Sequence, residues 1–184
     1  HLAGTKKVQQ ELAQPGQVER FFPPSDDRRL PPLGDLFSGT DAAGKIRACF
    51  AELHAVSGNP GRTSAAEAAV ADALDDQREC GWVLKPQREG GGNNFYGEEL
   101  RAKLRGVRAD DASLADLILM QRILPPLQPA TLVSRGVSSV GPTISELGVF
   151  GTFLAAGDRV VVNRYAGHIL RTKLDGVDEG GVAT

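Results

Sequence analysis

A run of three glycines near the middle of the chain constrains the structure around it more than any other feature. It lies in VLKPQREGGGNNFYGEEL, residues Val83 to Leu100, and follows the apolar run Trp82–Leu84. Gly90–Gly92 lack a Cβ and can bring backbone N–H groups close to a ligand. Asn93 and Asn94 also tolerate the left-handed backbone region. Several N–H groups that point in one direction form a concavity for an anion. We therefore predict a strand, a phosphate-binding loop and a helix that begins at Gly97.

The charged residues of this loop suggest a nucleotide bound together with a metal ion. Lys85 and Arg88 place positive charge beside the glycines, whereas the carboxylate of Glu89 would repel phosphates unless a cation joined the two. Mg²⁺ is commonly held by one or two carboxylates together with phosphate oxygens. The loop lacks the GxxxxGK[ST] pattern of a P-loop. A flexible glycine linker is the alternative, but such linkers rarely carry Lys, Arg, Glu and a following tyrosine, here Tyr96.

Composition and charge are those of an ordinary globular domain and argue against several classes of partner. The 184 residues are 41% hydrophobic and 24% charged, with a formal net charge of −2, which is ordinary for a globular domain. Acids and bases are interspersed, so nucleic acid and anionic membranes are poor candidate partners, and no apolar run is long enough to cross a bilayer. Cys49 and Cys80 are too few for a disulfide framework, which favours a reducing compartment. Histidines and cysteines do not show the spacing of a zinc site.

The first half of the chain contains several further elements. A helix begins near Lys6 and ends before Pro15. The Pro-, Asp- and Arg-rich segment Val18–Ala43 resists regular structure and is predicted to be a surface insertion. Helical spacing predicts a helix over Gly44–Val56, on which His54 would lie at the surface rather than bind a metal. Ser64–Glu67 reads as a capping box that opens the next helix.

The second half is predicted to be mostly β-structure. After a helix over Glu98–Val107, the apolar run Leu114–Ile123 predicts a buried strand that leads into an extended connector. Short alternating runs between Thr131 and Lys173 predict an antiparallel meander. Within it, Glu146 interrupts an apolar strand and needs a partner if it is buried. Arg171 and Lys173 lie two residues apart, on one face of a strand, where they would suit an anionic ligand.

Several ordered blocks of this sequence resemble one family. KPQREGGGNNFYGEE resembles the glycine-rich loop of the eukaryotic-type glutathione synthetases, which belong to the ATP-grasp superfamily. Five further blocks also resemble this family and occur in the same order: HLAGTKKVQQELAQPG, ILMQRI, ISELGVFG, HILRTK and EGGVA. The residues of these blocks resemble those of plant and green-algal members. The resemblance implies an α+β fold of the ATP-grasp type, with an antiparallel sheet, packed helices and a glycine-rich lid loop. It further implies that residues 1–184 are the C-terminal portion of a longer protein, with 18–43 as an insertion.

The resemblance also assigns roles to individual residues. The residues implied to bind ATP are Lys6, Lys85, Glu89, Gly90, Gly91, Gly92, Asn93, Asn94, Tyr96, Met120, Gln121, Arg122, Ile123, Glu146, Lys173 and Glu179. Arg171, Val182 and Ala183 are implied to bind the peptide substrate, with Arg171 also catalytic. Glu89 is implied to hold Mg²⁺. Gly180–Ala183 resembles the start of a mobile loop that closes over the substrate.

The implied reaction is the ATP-dependent joining of γ-glutamylcysteine and glycine through an acyl phosphate. The expected partners are ATP, both substrates, the N-terminal half of the enzyme and a second copy of the full-length protein. The expected location is the cytoplasm, with the plastid as a second possibility. Two alternatives stay open at this point. One is a related ligase that uses another amino acid such as β-alanine, and the other is a non-catalytic structural subunit of a larger assembly.

Overall fold

The computed structural model describes residues 4–21, 42–57, 62–88, 91–108, 111–177 and 181–183. These residues form two compact units, one that extends to Ile123 and one that begins at Leu124. Among the described residues, no helix has the length and hydrophobicity required to cross a membrane.

The first unit combines four helices with a small antiparallel sheet. Its helices are α1 (Lys6–Ala13), α2 (Ala42–Arg47), α3 (Ser64–Leu74) and α4 (Gly97–Leu104), and its strands are β1 (Leu53–Ala55), β2 (Trp82–Pro86) and β3 (Leu117–Gln121). Short 3₁₀ turns occur at Glu19–Phe21, Gly91–Asn93 and Ala112–Leu114. The strand order is β1-β3-β2, with both pairs antiparallel. The predicted strand after Leu114 is thus confirmed over Leu117–Gln121, and the predicted helix after Tyr96 is confirmed over Gly97–Leu104.

The central strand β3 is covered on both faces. Leu119 faces the main core, where it packs with Leu84 of β2 and with Leu100 and Leu104 of α4. Ile118 points to the opposite face and is also fully buried. Because α1 packs against β1 and β3, we infer that α1 covers this second face. Burial on both faces explains why β3 reads as an uninterrupted apolar run rather than as an alternating one.

The helix predicted over Gly44–Val56 is wrong in its second half. Helix α2 ends at Arg47, and two tight backbone bonds, from Cys49 N–H to the Ile46 carbonyl (3.0 Å) and from Phe50 N–H to the Arg47 carbonyl (2.9 Å), follow it. Leu53–Ala55 then pairs with β3 as strand β1. Sheet pairing with residues far along the chain has therefore overridden the local helical spacing.

Two helix starts are defined by threonine side chains. The hydroxyl of Thr5 caps α1 by accepting from the N–H of Val8, which confirms the predicted start at Lys6. The start of α3 is one residue earlier than predicted, because Thr63, and not Ser64, is the cap. The Thr63 hydroxyl accepts from the N–H of Ala66 at 3.2 Å. Such a cap is typically worth about 1 kcal/mol.

The proline-rich segment is only partly described. Residues 22–41 lie outside the described residues, so the predicted surface insertion over 18–43 stays a prediction for most of its length. At its two ends, the side chains of Val18 and Ala43 are buried. These ends are therefore packed into the first unit.

The second unit is the predicted antiparallel meander. Its strands are β4 (Gln128–Ser134), β5 (Val137–Ala156), β6 (Arg159–Leu174) and β7 (Val182–Ala183), in the order β4-β5-β6-β7. Arg135 (φ 51°) and Gly136 (φ 79°) form the tight turn between β4 and β5, which is the backbone geometry that two-residue hairpins favour. The last of the predicted short alternating runs, which end at Lys173, are parts of the single long strand β6.

An ion pair at the end of α1 leads to a prediction for acid stability. The guanidinium of Arg47 donates to the carbonyls of Ala13 (3.0 Å) and Gln14 (2.7 Å) and to both carboxylate oxygens of Glu19. The hydrogen bond from Arg47 is the largest cause that lowers the pKa of Glu19 from 4.5 to about 2. A lowered folded-state pKa gives stability that is present above pH 4.5 and is lost as the pH falls toward 2.

We therefore expect Glu19→Gln to lower the melting temperature at pH 7 and to have little effect near pH 2. Thermal unfolding of both proteins across this range would measure the difference. Glu99→Gln, which removes an exposed carboxylate from α4, is the control. An equal effect of Glu19→Gln at pH 7 and at pH 2 would contradict the role given to the ion pair.

Candidate functional site

The glycine-rich loop is held closed at its base by one pair of backbone bonds. The N–H of Leu84 donates to the Phe95 carbonyl at 3.0 Å, and the N–H of Phe95 donates to the Leu84 carbonyl at 2.9 Å. Leu84 is fully buried in the core, and the Phe95 ring packs against this core. The Lys103 ammonium nitrogen lies 4.9 Å from the centroid of the Phe95 ring. The loop therefore leaves and rejoins the unit at fixed positions.

The predicted phosphate-binding residues of the loop are partly described. Glu89 and Gly90 lie outside the described residues, whereas Gly91–Asn93 forms a 3₁₀ turn. The side-chain amide of Asn94 donates to the Tyr96 hydroxyl at 3.4 Å. Tyr96 then precedes α4 and is 39% exposed. Asn94 and Tyr96 thus stand together where the loop meets the helix.

Gln87 is a residue of this region that the sequence reasoning missed. Its side-chain oxygen accepts from the backbone N–H of Lys7 at 2.8 Å, and its side-chain nitrogen donates to the Asp116 carbonyl at 3.0 Å. It thereby joins the start of α1, which carries Lys6, to the end of β2 and to the entry of β3. Its position between Lys85 and Arg88 could have drawn attention to it, but no local pattern shows partners so far away in sequence.

Lys85 and Met120 lie on the same face of the three-stranded sheet. Lys85 is opposite Ile118 in the antiparallel pairing of β2 and β3, and Met120 is opposite Val83. Directly opposite residues share a face, and residues two apart on one strand also share a face. This face is the one opposite the α3–α4 core. The strand before the loop and the strand before the connector are therefore neighbours in the sheet.

The connector after β3 is extended and anchored at its start. The N–H of Gln121 donates to the Glu52 carbonyl at 2.9 Å, and the N–H of Arg122 donates to the Gly81 carbonyl at 2.8 Å. The Arg122 guanidinium also donates to the Glu79 carboxylate at 3.2 Å. Ile123 is 69% exposed, and its backbone N–H has no hydrogen-bond partner in the described part of the chain. Ile123 is therefore the first predicted connector residue whose backbone N–H remains available.

Three predicted residues of the second unit share one face of the β5–β6 hairpin. Glu146 is directly opposite Arg171, and Lys173 is opposite Ile144. The Arg171 guanidinium donates to the Glu146 carboxylate, and both side chains are more than half exposed. The sequence predicted that Glu146 interrupts an apolar strand and needs a partner if buried; it does lie in a strand, its carboxylate is exposed, and its partner is Arg171. Exposed pairs of this kind are worth only about 0.2–1 kcal/mol.

Strand β7 lies beside Arg171 because of one glycine. Ala183 is in register with Arg171, and Val182 with Thr172. Gly181 has a φ of +116°, and a Cβ at this position would lie 2.5 Å from the Thr172 carbonyl oxygen. The approach of the two strands therefore requires glycine. Glu179, which precedes this strand, lies outside the described residues.

The described acids do not form a metal site by themselves. No group of three or more His, Cys, Asp or Glu side chains suitable for a metal ion occurs among the residues that the structure describes, and Glu146 is already engaged by Arg171. His54 lies in β1 and not on a helix; its Nε2 is 3.0 Å from a Glu52 carboxylate oxygen, and its ring contacts Trp82. His168 hydrogen-bonds to the Tyr165 hydroxyl. Both histidines therefore have structural partners.

A surface depression of about 290 Å³ lies in the first unit, and His54 is one of the residues that line it. It is lined by the end of α1, by Arg47 and by β1 with its flanking residues. None of the predicted site residues lines it. The guanidinium of Arg47 is already occupied by Glu19 and two carbonyl oxygens. Nothing about this depression indicates a nucleotide.

Comparison with known proteins gives one consistent result. A family model described as eukaryotic glutathione synthase, ATP binding domain, matches residues 1–184. The chain is 42% identical over 184 residues to the chloroplastic glutathione synthetase of Solanum lycopersicum, covering all of this chain and 29% of that protein. It is 40% identical to the glutathione synthetase of Homo sapiens, covering 99% of this chain and 34% of that protein. The chain thus spans about a third of the length of these relatives.

A solved structure shows the same fold. The apo form of a glutathione synthetase-like effector from Globodera pallida superposes with a TM-score of 0.60 over 94% of this chain and 32% of that one, at 21% identity. At this identity the likeness concerns the fold alone. It agrees with the mixed arrangement of helices and antiparallel sheets described above.

The contact at Gly181 gives a prediction for the strand beside Arg171. Gly181→Ala would place a methyl group against the Thr172 carbonyl in a backbone region that side chains rarely adopt, at a cost of about 1–3 kcal/mol. We expect β7 to detach from β6, so that the Val182 amide exchanges hydrogen at least about tenfold faster. Gly176→Ala is the matched control, because Gly176 also has a positive φ but open space around it. Unchanged exchange in the Gly181 variant would contradict the steric argument.

Proposed function

We propose that this chain, which belongs to the eukaryotic glutathione synthetase family, supplies the ATP site of an enzyme that joins γ-glutamylcysteine to glycine. The observation that carries the proposal is the match of the family's ATP-binding domain to the whole chain. The glycine-rich loop, closed at Leu84 and Phe95 and flanked by Lys85, supports it from the structure. We propose the ATP-grasp fold for residues 1–184, with the glycine-rich loop as its lid.

The proposed reaction has two chemical steps. The terminal carboxylate of γ-glutamylcysteine attacks the γ-phosphorus of ATP, which gives an acyl phosphate and ADP. The amine of glycine then attacks the acyl carbon, and phosphate leaves as the peptide bond forms. Catalysis of such phosphoryl transfer depends mostly on positioning and on neutralising charge.

The basic residues would neutralise the polyphosphate. We propose this role for Lys6, Lys85 and Lys173. Lys6 is the first residue of α1, and the link from Lys7 through Gln87 fixes that helix start beside the end of β2. The backbone N–H groups of Gly90–Asn94 would bind phosphate oxygens and exclude water, which would otherwise hydrolyse the acyl phosphate.

The adenine would lie against the connector. An extended backbone offers an N–H and a carbonyl to the edge of the base, and Met120 offers apolar contact to the ring. The N–H groups of Gln121 and Arg122 are already bonded within the unit. Ile123 is therefore the connector residue that we propose as the hydrogen-bond donor to adenine.

The peptide substrate would be held by Arg171 together with Val182 and Ala183. Arg171 is paired with Glu146 through an exposed ion pair, which contributes little stability and can yield to a substrate carboxylate. Glu146 would then be available to the ribose hydroxyls, as proposed for its role in ATP binding. Glu179 is proposed to contact ATP from the segment before β7.

Mg²⁺ is the proposed cofactor, with Glu89 as its ligand from this chain. When bound with ATP, the ion would neutralise phosphate charge and orient the γ-phosphate. Further ligands would come from the part of the enzyme that this chain does not span. We also propose γ-glutamylcysteine, glycine, that remaining part and a homodimer of the full-length enzyme as partners. The plant relatives are named chloroplastic, which makes the plastid, beside the cytoplasm, a proposed location.

The first test concerns metal-dependent nucleotide binding. We expect calorimetry to show that Mg²⁺ strengthens ATP binding by the chain at least about tenfold, because the cation removes the repulsion between Glu89 and the phosphates. Glu89→Gln should abolish most of this metal dependence without lowering the melting temperature. Glu67→Gln, which removes an exposed carboxylate from α3, is the control. Equal ATP affinity with and without Mg²⁺ would contradict the role of Glu89.

The second test concerns the activity itself. We expect the 184-residue chain alone not to form glutathione, because the relatives are about three times as long and the substrates would lack most of their contacts. Phosphate release that requires both γ-glutamylcysteine and glycine is the assay. Replacing the matching segment of the Solanum lycopersicum enzyme with this chain should give an active chimera, and Arg171→Ala should lower its activity at least about a hundredfold. Full turnover by the chain alone, or an inactive but folded chimera, would contradict the proposal.

A further inference from the structure

The β5–β6 hairpin carries an exposed apolar face on the side away from Glu146 and Arg171. Leu147 and Leu170 are directly opposite each other, and Val149 is opposite His168, so these residues share a face. We call this the back face. Leu147 is 60% exposed, Val149 65% and Leu170 38%. Glu146 and Arg171 occupy the alternate positions of the same strands and therefore the other face.

The part of the β5–β6 hairpin that carries the back face is a two-stranded ribbon. Strand β4 pairs with β5 only over Val137–Thr143, and β7 pairs with β6 only at Arg171 and Thr172. From Ile144 to Ala156, β5 has β6 as its only strand neighbour among the described residues. Two-stranded ribbons of this kind are marginally stable in water unless another layer covers an apolar face.

A solvent-facing surface would have a different sequence. The exposed face of an antiparallel sheet normally carries polar residues, which produces alternation between polar and apolar positions. Here the face opposite the charged residues carries Leu147, Leu170 and Val149, and only the fourth member of the two pairs, His168, is polar. Contiguous exposed apolar surface of this type usually marks an interface.

We propose that the back face packs against the part of the enzyme that lies outside this chain. This inference rests on the proposed function, because the relatives contain about two-thirds of their length beyond the segment that matches here. That additional chain provides an occupant that is present once for every hairpin. The opposite face, with Glu146, Arg171 and Lys173, stays open to the ligands. The back face would thus fix the hairpin in the full-length enzyme and hold Arg171 in place.

The test measures whether the back face becomes protected in a full-length protein. In a Cys49→Ser background, which removes the exposed thiol and leaves the buried Cys80, Val149→Cys introduces a reactive group on the back face. Val133→Cys is the matched control, because Val133 is also an exposed valine of this sheet, at 59%, but lies near the β4–β5 turn. Each variant is made in the 184-residue chain and in the chimera with the Solanum lycopersicum enzyme, and labelling by a thiol reagent is timed.

We expect both variants to be labelled rapidly in the 184-residue chain, and only Val149→Cys to be labelled at least tenfold more slowly in the chimera. Equal labelling of the two variants in the chimera would overturn the proposal, whether both are fast or both are slow. Slow labelling of Val149→Cys in the isolated chain would also overturn it. Concentration-dependent protection would then identify a second copy as the occupant, and concentration-independent protection would identify the chain's own first unit.

Glutathione formation by the same chimera separates this inference from the proposed function. An active chimera with a freely labelled Val149→Cys variant keeps the function and rejects the docking face. A folded but inactive chimera with a protected back face would reject the proposed function and keep the docking face. If the 184-residue chain and the plant enzyme each give a cooperative thermal transition but the chimera does not, the back face does not fit its proposed neighbour and the docking proposal is rejected.

Discussion

The pairing of Leu84 with Phe95 is the interaction on which the candidate ATP site of the first unit depends. It joins a buried strand residue to the first residue after the glycine-rich loop through two backbone hydrogen bonds. Because the loop is closed at its base, its two ends have fixed positions close to Lys85. The side chain of Gln87 adds a second constraint by joining the start of α1 to the same end of β2. Core packing thereby determines where the loop leaves and rejoins the first unit.

The local patterns of the sequence predicted the elements that depend on local physics. The helix after Tyr96, the buried strand over Leu117–Gln121 and the antiparallel meander follow from periodicity and turn residues, and the structure confirms them. The predicted helix over Gly44–Val56 failed because Leu53–Ala55 gains its partners from β3, whose residues are far away in the chain. Helical spacing alone contains no information on such a partner.

The same limit applies to the candidate site. The glycines, Lys85 and the pair of cations on β6 could be proposed as site residues from residue type and spacing, because each has a local signature. The link from Gln87 to Lys7 and the pairing of Glu146 with Arg171 could not, because each joins segments whose proximity only the fold creates. For Glu146 the sequence indicated that a partner was needed, and the structure supplied its identity.

The position of the only tryptophan makes the two units separable by spectroscopy. Trp82 is 7% exposed in the first unit, its ring N–H donates to the Asp72 carboxylate at 2.7 Å, and its ring contacts His54. The chain has no other tryptophan. Fluorescence excited at the red edge of the absorption band therefore reports the environment of the β2 strand and not that of the hairpin. The unfolding transition measured by fluorescence and the transition measured by circular dichroism will coincide only if the two units unfold together.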